Sequence, residues 1–152
     1  MITSLNVKVV PIAEVPVDDL KHSYERQRPV ILVVHDEALV ADCLATVLSR
    51  AGFATMTAYD GKAALEIAFA VPPDLLISDI AIREINGIEL AMAVVNAAPE
   101  CKVLLCSSHD TGDDLMRACA AGYNFSSLTK PVHPAEILKQ VMACLGGAEM
   151  VA

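Results

Sequence analysis

The sequence predicts a three-layer α/β/α sandwich around a five-stranded parallel sheet. Two patterns carry this. Short apolar runs, several rich in β-branched residues, alternate five times with segments whose apolar residues recur at helical spacing. Gly, Pro, Asn and Asp punctuate the short connections between them. Strands that alternate with helices imply parallel crossovers, with helices on both faces of the sheet. The composition agrees: 152 residues, 55% apolar and only 4% aromatic with no Trp suit one domain with an aliphatic core.

The elements follow in order. Residues 30–34, "VILVV", form a continuous apolar run, the pattern of a strand covered on both faces. Val40, Cys43, Leu44, Val47, Leu48 and Ala51 then recur on one helical face, and Gly52 stops the helix. Residues 54–59, "ATMTAY", read as the second strand. Asp60 caps a helix carrying Ala64, Leu65 and Ala68, closed by Pro72 and Pro73. Residues 74–78, "DLLIS", are the third strand, and Asn86-Gly87 opens a helix with Leu90, Ala91, Val94 and Val95. Residues 102–107, "KVLLCS", are the fourth strand. Thr111 caps a helix with Leu115, Met116 and Cys119, ended at Gly122. Residues 125–129, "FSSLT", are a weaker fifth strand. Pro134, at a first helical position, opens the last helix with Ile137, Leu138, Val141, Met142 and Leu145. Residues 1–28 read as an extension or linker, 29–146 as the folded domain and 147–152 as a tail.

Charge and composition exclude several function classes. Net charge is −8. Residues 1–28 are balanced, so the excess, 7 basic against 15 acidic, lies in residues 29–152. That argues against a nucleic-acid partner, which needs a basic stripe. No apolar run reaches the length of a membrane span, and the first residues lack the pattern of a secretory signal. The expectation is a cytoplasmic protein with no membrane partner. Five cysteines, an odd number with no CxxC spacing, read as reduced thiols.

Ligands of such sheets bind beyond the carboxyl ends of the strands. The first strand ends in His35-Asp36-Glu37, the third in Ser78-Asp79, the fourth in Ser107-Ser108-His109, the fifth in Thr129-Lys130-Pro131. If these ends adjoin, two carboxylates, a hydroxyl and an ammonium converge, a set suited to a hard divalent cation and a phosphoryl group.

"ILVVHDE", "DLLISDIAIREINGIEL", "KVLLCSSHD" and "LTKPVHPAEIL" together resemble the receiver domain of two-component response regulators, over about residues 29–146. The resemblance implies a flavodoxin-like strand order 2-1-3-4-5. It implies Asp79 as phosphoacceptor from a histidine kinase or phosphotransfer protein, and magnesium, with manganese as an alternative, held by Asp36, Asp79 and the backbone carbonyl of Ala81. Ser107 matches the switch hydroxyl, Lys130 the phosphoryl-contacting lysine, and Pro131 the proline that follows through a cis bond. Such domains turn over their own phosphoryl group but are not enzymes in the ordinary sense. Output is expected through a protein partner on the face of the fourth helix, fifth strand and fifth helix.

The chain departs from the pattern at several positions. His35 replaces the first of two acids and weakens magnesium, since imidazole is a poor ligand for it. With Asp36, Asp79 or His109 it could select a softer metal, although a tolerated histidine at a strand end is the simpler reading. Arg83 stands where a proline is usual, and Ser108 where Ala or Gly is usual. The expected aromatic position is Ser127, so Phe125, two residues earlier on the same face, is the candidate switch aromatic, with Tyr123 competing. The leading reading is a single-domain receiver phosphorylated on Asp79. The alternative is a degenerate receiver that binds partners without phosphorylation. A phosphorelay intermediate, a small magnesium-dependent phosphatase and a flavin carrier rank lower. The sequence leaves the oligomeric state open.

Overall fold

The computed structural model describes residues 28–108 and 112–146. The chain runs β1 (Val30–Val34), α1 (Ala38–Arg50), β2 (Ala54–Ala58), α2 (Gly61–Ala70), β3 (Leu75–Asp79), α3 (Gly87–Ala97), β4 (Lys102–Ser107), α4 (Gly112–Ala120), β5 (Ser126–Thr129) and α5 (Pro134–Cys144). All pairings are parallel, and the strand order is β2-β1-β3-β4-β5. This is the predicted sandwich and the predicted order.

Strand alternation divides the core in two. Ile31, Val33, Leu75, Ile77 and Leu104 face one side, where Ala41, Ala45 and Leu48 of α1 and Ile137 and Val141 of α5 cover them. Leu32, Val34, Leu76, Val103 and Leu105 face the other, under α2, α3 and α4. Successive side chains of a strand point to opposite faces, so one apolar run feeds both cores. Fully burying each large aliphatic side chain contributes about 1.5–3 kcal/mol.

Local signals set the helix starts. The Asp60 carboxylate accepts the Ala63 N–H at 2.7 Å. Asn86 and Glu89 form a reciprocal capping box at the head of α3, which satisfies two otherwise free donors. At α5, Pro134 stands in the first turn, and His133 Nδ1 accepts the Ala135 N–H at 3.0 Å.

Some details differ from the sequence reading. β2 ends one residue earlier than read, at Ala58, and β5 starts one later, at Ser126. The buried stripe of α1 is Ala41, Ala45 and Leu48, while Val40 and Cys43 are exposed. Small alanines let the helix approach the sheet closely, which rotates the larger residues outward. On α4 only Ala118 is buried, and Met116 is 71% exposed. β3 runs one residue further than read, so Asp79 closes the strand itself. The cap assigned to Thr111, residues 1–27 of the extension and the C-terminal tail lie outside the described residues.

Candidate functional site

The strand order reverses between β1 and β3, because β2 lies on the far side of β1. The crevice beyond the carboxyl ends of those two strands is where folds of this kind bind ligands. His35 follows β1 there, Asp79 closes β3, Ser107 closes β4, and Lys130 follows β5. Backbone pairing fixes these positions. Asp79 stands in register with Cys106, and the Ile80 N–H donates to the Cys106 carbonyl at 3.1 Å. The Lys130 N–H donates to the Ser107 carbonyl at 2.8 Å, and the Lys130–Pro131 peptide is cis. α3 begins directly against the site: the Gly87 N–H donates to the Ile80 carbonyl at 2.8 Å, and a Cβ on Gly87 would run into the Asp79 carbonyl.

Asp79 is buried, with 7% of its side chain exposed, and Ser107 is buried beside it on β4. Lys130 Nζ lies 2.6 Å from Asp79 Oδ1. The other oxygen, Oδ2, faces His35 Nε2 at 3.9 Å. On the opposite edge of the ring, His35 Nδ1 lies 3.5 Å from Asp36 Oδ1 and accepts the Glu37 N–H at 3.0 Å. A nitrogen that accepts carries no proton, so the neutral ring bears its proton on Nε2, toward Asp79. At 3.9 Å this is electrostatic attraction rather than a hydrogen bond. Arg83 reaches across from the loop after β3, its Nη2 donating to the Asp36 carbonyl at 3.4 Å.

Cys106 completes the surroundings. Its thiol is pushed up to about 11 from an ordinary 9.0, by burial first and by the Asp79 charge second, with Lys130 pulling it back. It is therefore a neutral, inert thiol at physiological pH. A cavity of about 500 Å³ opens beside it, lined by Val40 and Leu44 of α1, Ile137 of α5, Pro131 and Val132, together with Asp79, Lys130 and His35.

The structure thus brings His35, Asp36, Asp79, Ser107 and Lys130 to one end of the sheet. Ala81 is exposed, two residues past Asp79. Phe125 precedes β5, half-buried, and its ring centroid lies 5.6 Å from that of Tyr123, whose hydroxyl donates to Asn96 Oδ1 at 3.1 Å. Ser108 is exposed at the site's edge. His109 lies outside the described residues. Sequence reading missed Cys106 as a neighbour of Asp79, and it missed the cavity. The first was not legible, because it depends on the register of β3 against β4, which sets Asp79 opposite Cys106 and not opposite Ser107, the last residue of β4. The second depends on how α1 and α5 splay.

Magnesium, which the resemblance implies, does not fit the donor set as it stands. The ion takes hard oxygen ligands in a tight octahedron. Here an imidazole stands between the Asp36 and Asp79 carboxylates, and Lys130 engages the remaining Asp79 oxygen. Among the described residues no three His, Cys, Asp or Glu side chains are grouped to hold a metal ion. A softer metal fares no better on His35, whose Nδ1 lone pair is taken by Glu37 and whose Nε2 carries the proton.

A doubly wound sheet with a buried carboxylate–lysine pair at its switch point defines a class: a small α/β signalling domain, here with an atypical acidic pocket. The chain belongs to the response regulator receiver domain family, whose model matches residues 31–142. It is 35% identical over 116 residues to the "Regulator of RpoS" of Escherichia coli K12, covering 76% of this chain and 34% of that protein. It is 26% identical over 110 residues to the chemotaxis protein CheY of Thermotoga maritima, covering 72% of this chain and 91% of that one. Among solved structures, a CheY-like receiver domain protein of Methanospirillum hungatei superposes with a TM-score of 0.73 at 21% identity, covering 83% of this chain and all of that one. That likeness concerns the fold alone. The chain spans about a third of the length of the Escherichia coli relative.

Proposed function

We propose that this receiver works as a binding module that signals through protein contact without phosphorylation of Asp79. One observation carries the reading: both oxygens of Asp79 face donors of the chain itself, Lys130 on one side and His35 on the other. A nucleophilic carboxylate held this way, beside an imidazole where an acid is usual, lacks the oxygen-rich cation site that phosphoryl transfer uses to neutralise charge. The working unit is residues 29–146, with 1–28 and 147–152 as flanks. The partner surface is the face of α4, β5 and α5, where Met116 offers an exposed apolar side chain. Among the described residues no helix is long and apolar enough to cross a membrane, which fits a cytoplasmic role.

A second reading keeps the switch alive. Asp79 closes β3 with Lys130 on one oxygen, and Ser107 is buried at the end of the neighbouring strand. In that case Asp79 accepts the phosphoryl group from a histidine kinase or phosphotransfer protein, Ser107 and Lys130 contact it, Asp36 and the Ala81 carbonyl assist, and Phe125 is the rotating aromatic. Intact mass after incubation with acetyl phosphate and magnesium, beside an Asp79→Asn variant, separates the two. The binding-module reading expects no gain by either protein. Gain of one phosphoryl mass by the native chain alone establishes the second.

A further inference from the structure

We infer that His35 closes the cation site of this receiver by seating its ring between the two carboxylates, so that a single substitution at position 35 reopens it. The inference deepens the reading above and rests on the same site. Three observations support it. The ring spans the gap, with Nδ1 3.5 Å from Asp36 Oδ1 and Nε2 3.9 Å from Asp79 Oδ2. It is held there from the backbone, since Nδ1 accepts the Glu37 N–H at 3.0 Å at the residue that caps α1. Only 18% of the side chain is exposed, so the ring does not swing freely into water.

The closure needs no charge on the ring. A metal ligand must offer a lone pair, and neither nitrogen has one to spare: Nδ1 spends its own on Glu37, and Nε2 presents a proton. The ring therefore occupies the approach to both carboxylates and donates nothing to an incoming ion. Two further oxygens of the site are already engaged. Lys130 Nζ sits on Asp79 Oδ1, and Arg83 Nη2 donates to the Asp36 main-chain carbonyl at 3.4 Å. An aspartate at position 35 would remove the obstruction. Its shorter side chain can accept the same Glu37 N–H in an Asx turn, leaving the start of α1 as it is. It would also add a hard oxygen where the ring now stands.

The test is a magnesium titration of the full chain followed by amide NMR shifts at Asp36, Asp79, Ile80 and Ala81. It uses the native protein, His35→Asp and His35→Ala, and the dispersion of each spectrum reports whether the variant is folded. The native protein is expected to show no saturating shifts at millimolar magnesium. Both variants are expected to bind, His35→Asp most tightly, with a gain of about tenfold to a hundredfold over the native chain. Saturable native binding as tight as that of His35→Asp overturns the inference. So does failure of both folded variants to bind. Binding by His35→Asp but not His35→Ala also overturns it, because a missing oxygen and not a seated ring would then explain the site. The fate of the binding-module reading is separate. A native chain that binds no magnesium yet gains phosphoryl mass defeats that reading and leaves this inference standing. A native chain that binds magnesium without gaining the mass does the reverse.

Discussion

Lys130 and Asp79 form the interaction on which the site's stability turns. Asp79 is 7% exposed while Lys130 is 39% exposed, so the two partners are unequal. Removing the lysine strands a buried carboxylate, whereas removing the carboxylate leaves an ammonium that can turn to water. Lys130→Ala is expected to destabilise the fold by about 2–4 kcal/mol in urea unfolding. Asp79→Asn should cost far less, and adding it to Lys130→Ala should recover most of the loss. The thiols give a pH prediction. Cys106 and Cys101 are both pushed up to about 11 from 9.0, chiefly by burial. A raised folded-state value means that the unfolded chain loses these protons first. Their contribution is thus intact below pH 9 and is lost as pH rises toward 11. Unfolding free energy should fall across that window, and fall less in a Cys101→Ala/Cys106→Ala variant. At pH 8, alkylation followed by mass spectrometry should label exposed Cys43 and Cys119 well before Cys101 and Cys106.

At the scale of elements, the start of α3 and the loop before it hold Asp79 in place. The capping box of Asn86 and Glu89 anchors the helix, and Gly87 lets it sit against the end of β3. Asn86→Ala is expected to cost about 1 kcal/mol in thermal or urea unfolding. Gly87→Ala should cost about 1–3 kcal/mol, because the added methyl must push α3 away from the Asp79 carbonyl, and the Asp79 amide should shift with it. The capping pattern was visible in the sequence as Asn-Gly ahead of a helical apolar stripe. The close approach was not, since only the packed structure shows which carbonyl the glycine meets. The buried faces of α1 and α4 show the same limit. Apolar periodicity located both helices but not their rotation, because Ala41, Ala45 and Ala118 face the sheet while larger residues such as Val40 and Met116 face outward. Hydrophobicity ranks those larger side chains as better core. Proximity to the sheet favours the small ones.

For the whole molecule, both halves of the core close within β1 to α5. A chain from Arg28 to Gly146 is therefore expected to unfold in one cooperative transition, with a midpoint close to that of the full chain; a large drop in Tm would mean that the flanking residues belong to the folded unit. The sequence by itself determined the order of the elements and the parallel sheet. Those follow from local rules: periodicity, turn residues, and the helix that each parallel crossover needs. The strand order and the convergence of Asp36, Asp79, Ser107 and Lys130 at one end were legible only through the resemblance to receiver domains, because no local pattern says which strands are neighbours. The resemblance also marked position 35 as anomalous. Only the tertiary structure decided where its side chain sits. The seat of the His35 ring depends on a backbone N–H two residues ahead, a carboxylate from a neighbouring strand, and a lysine about 50 residues beyond that carboxylate in the chain. No pattern within one stretch of sequence contains those distances, because they are fixed by the pairing of β1, β3, β4 and β5 side by side in the sheet.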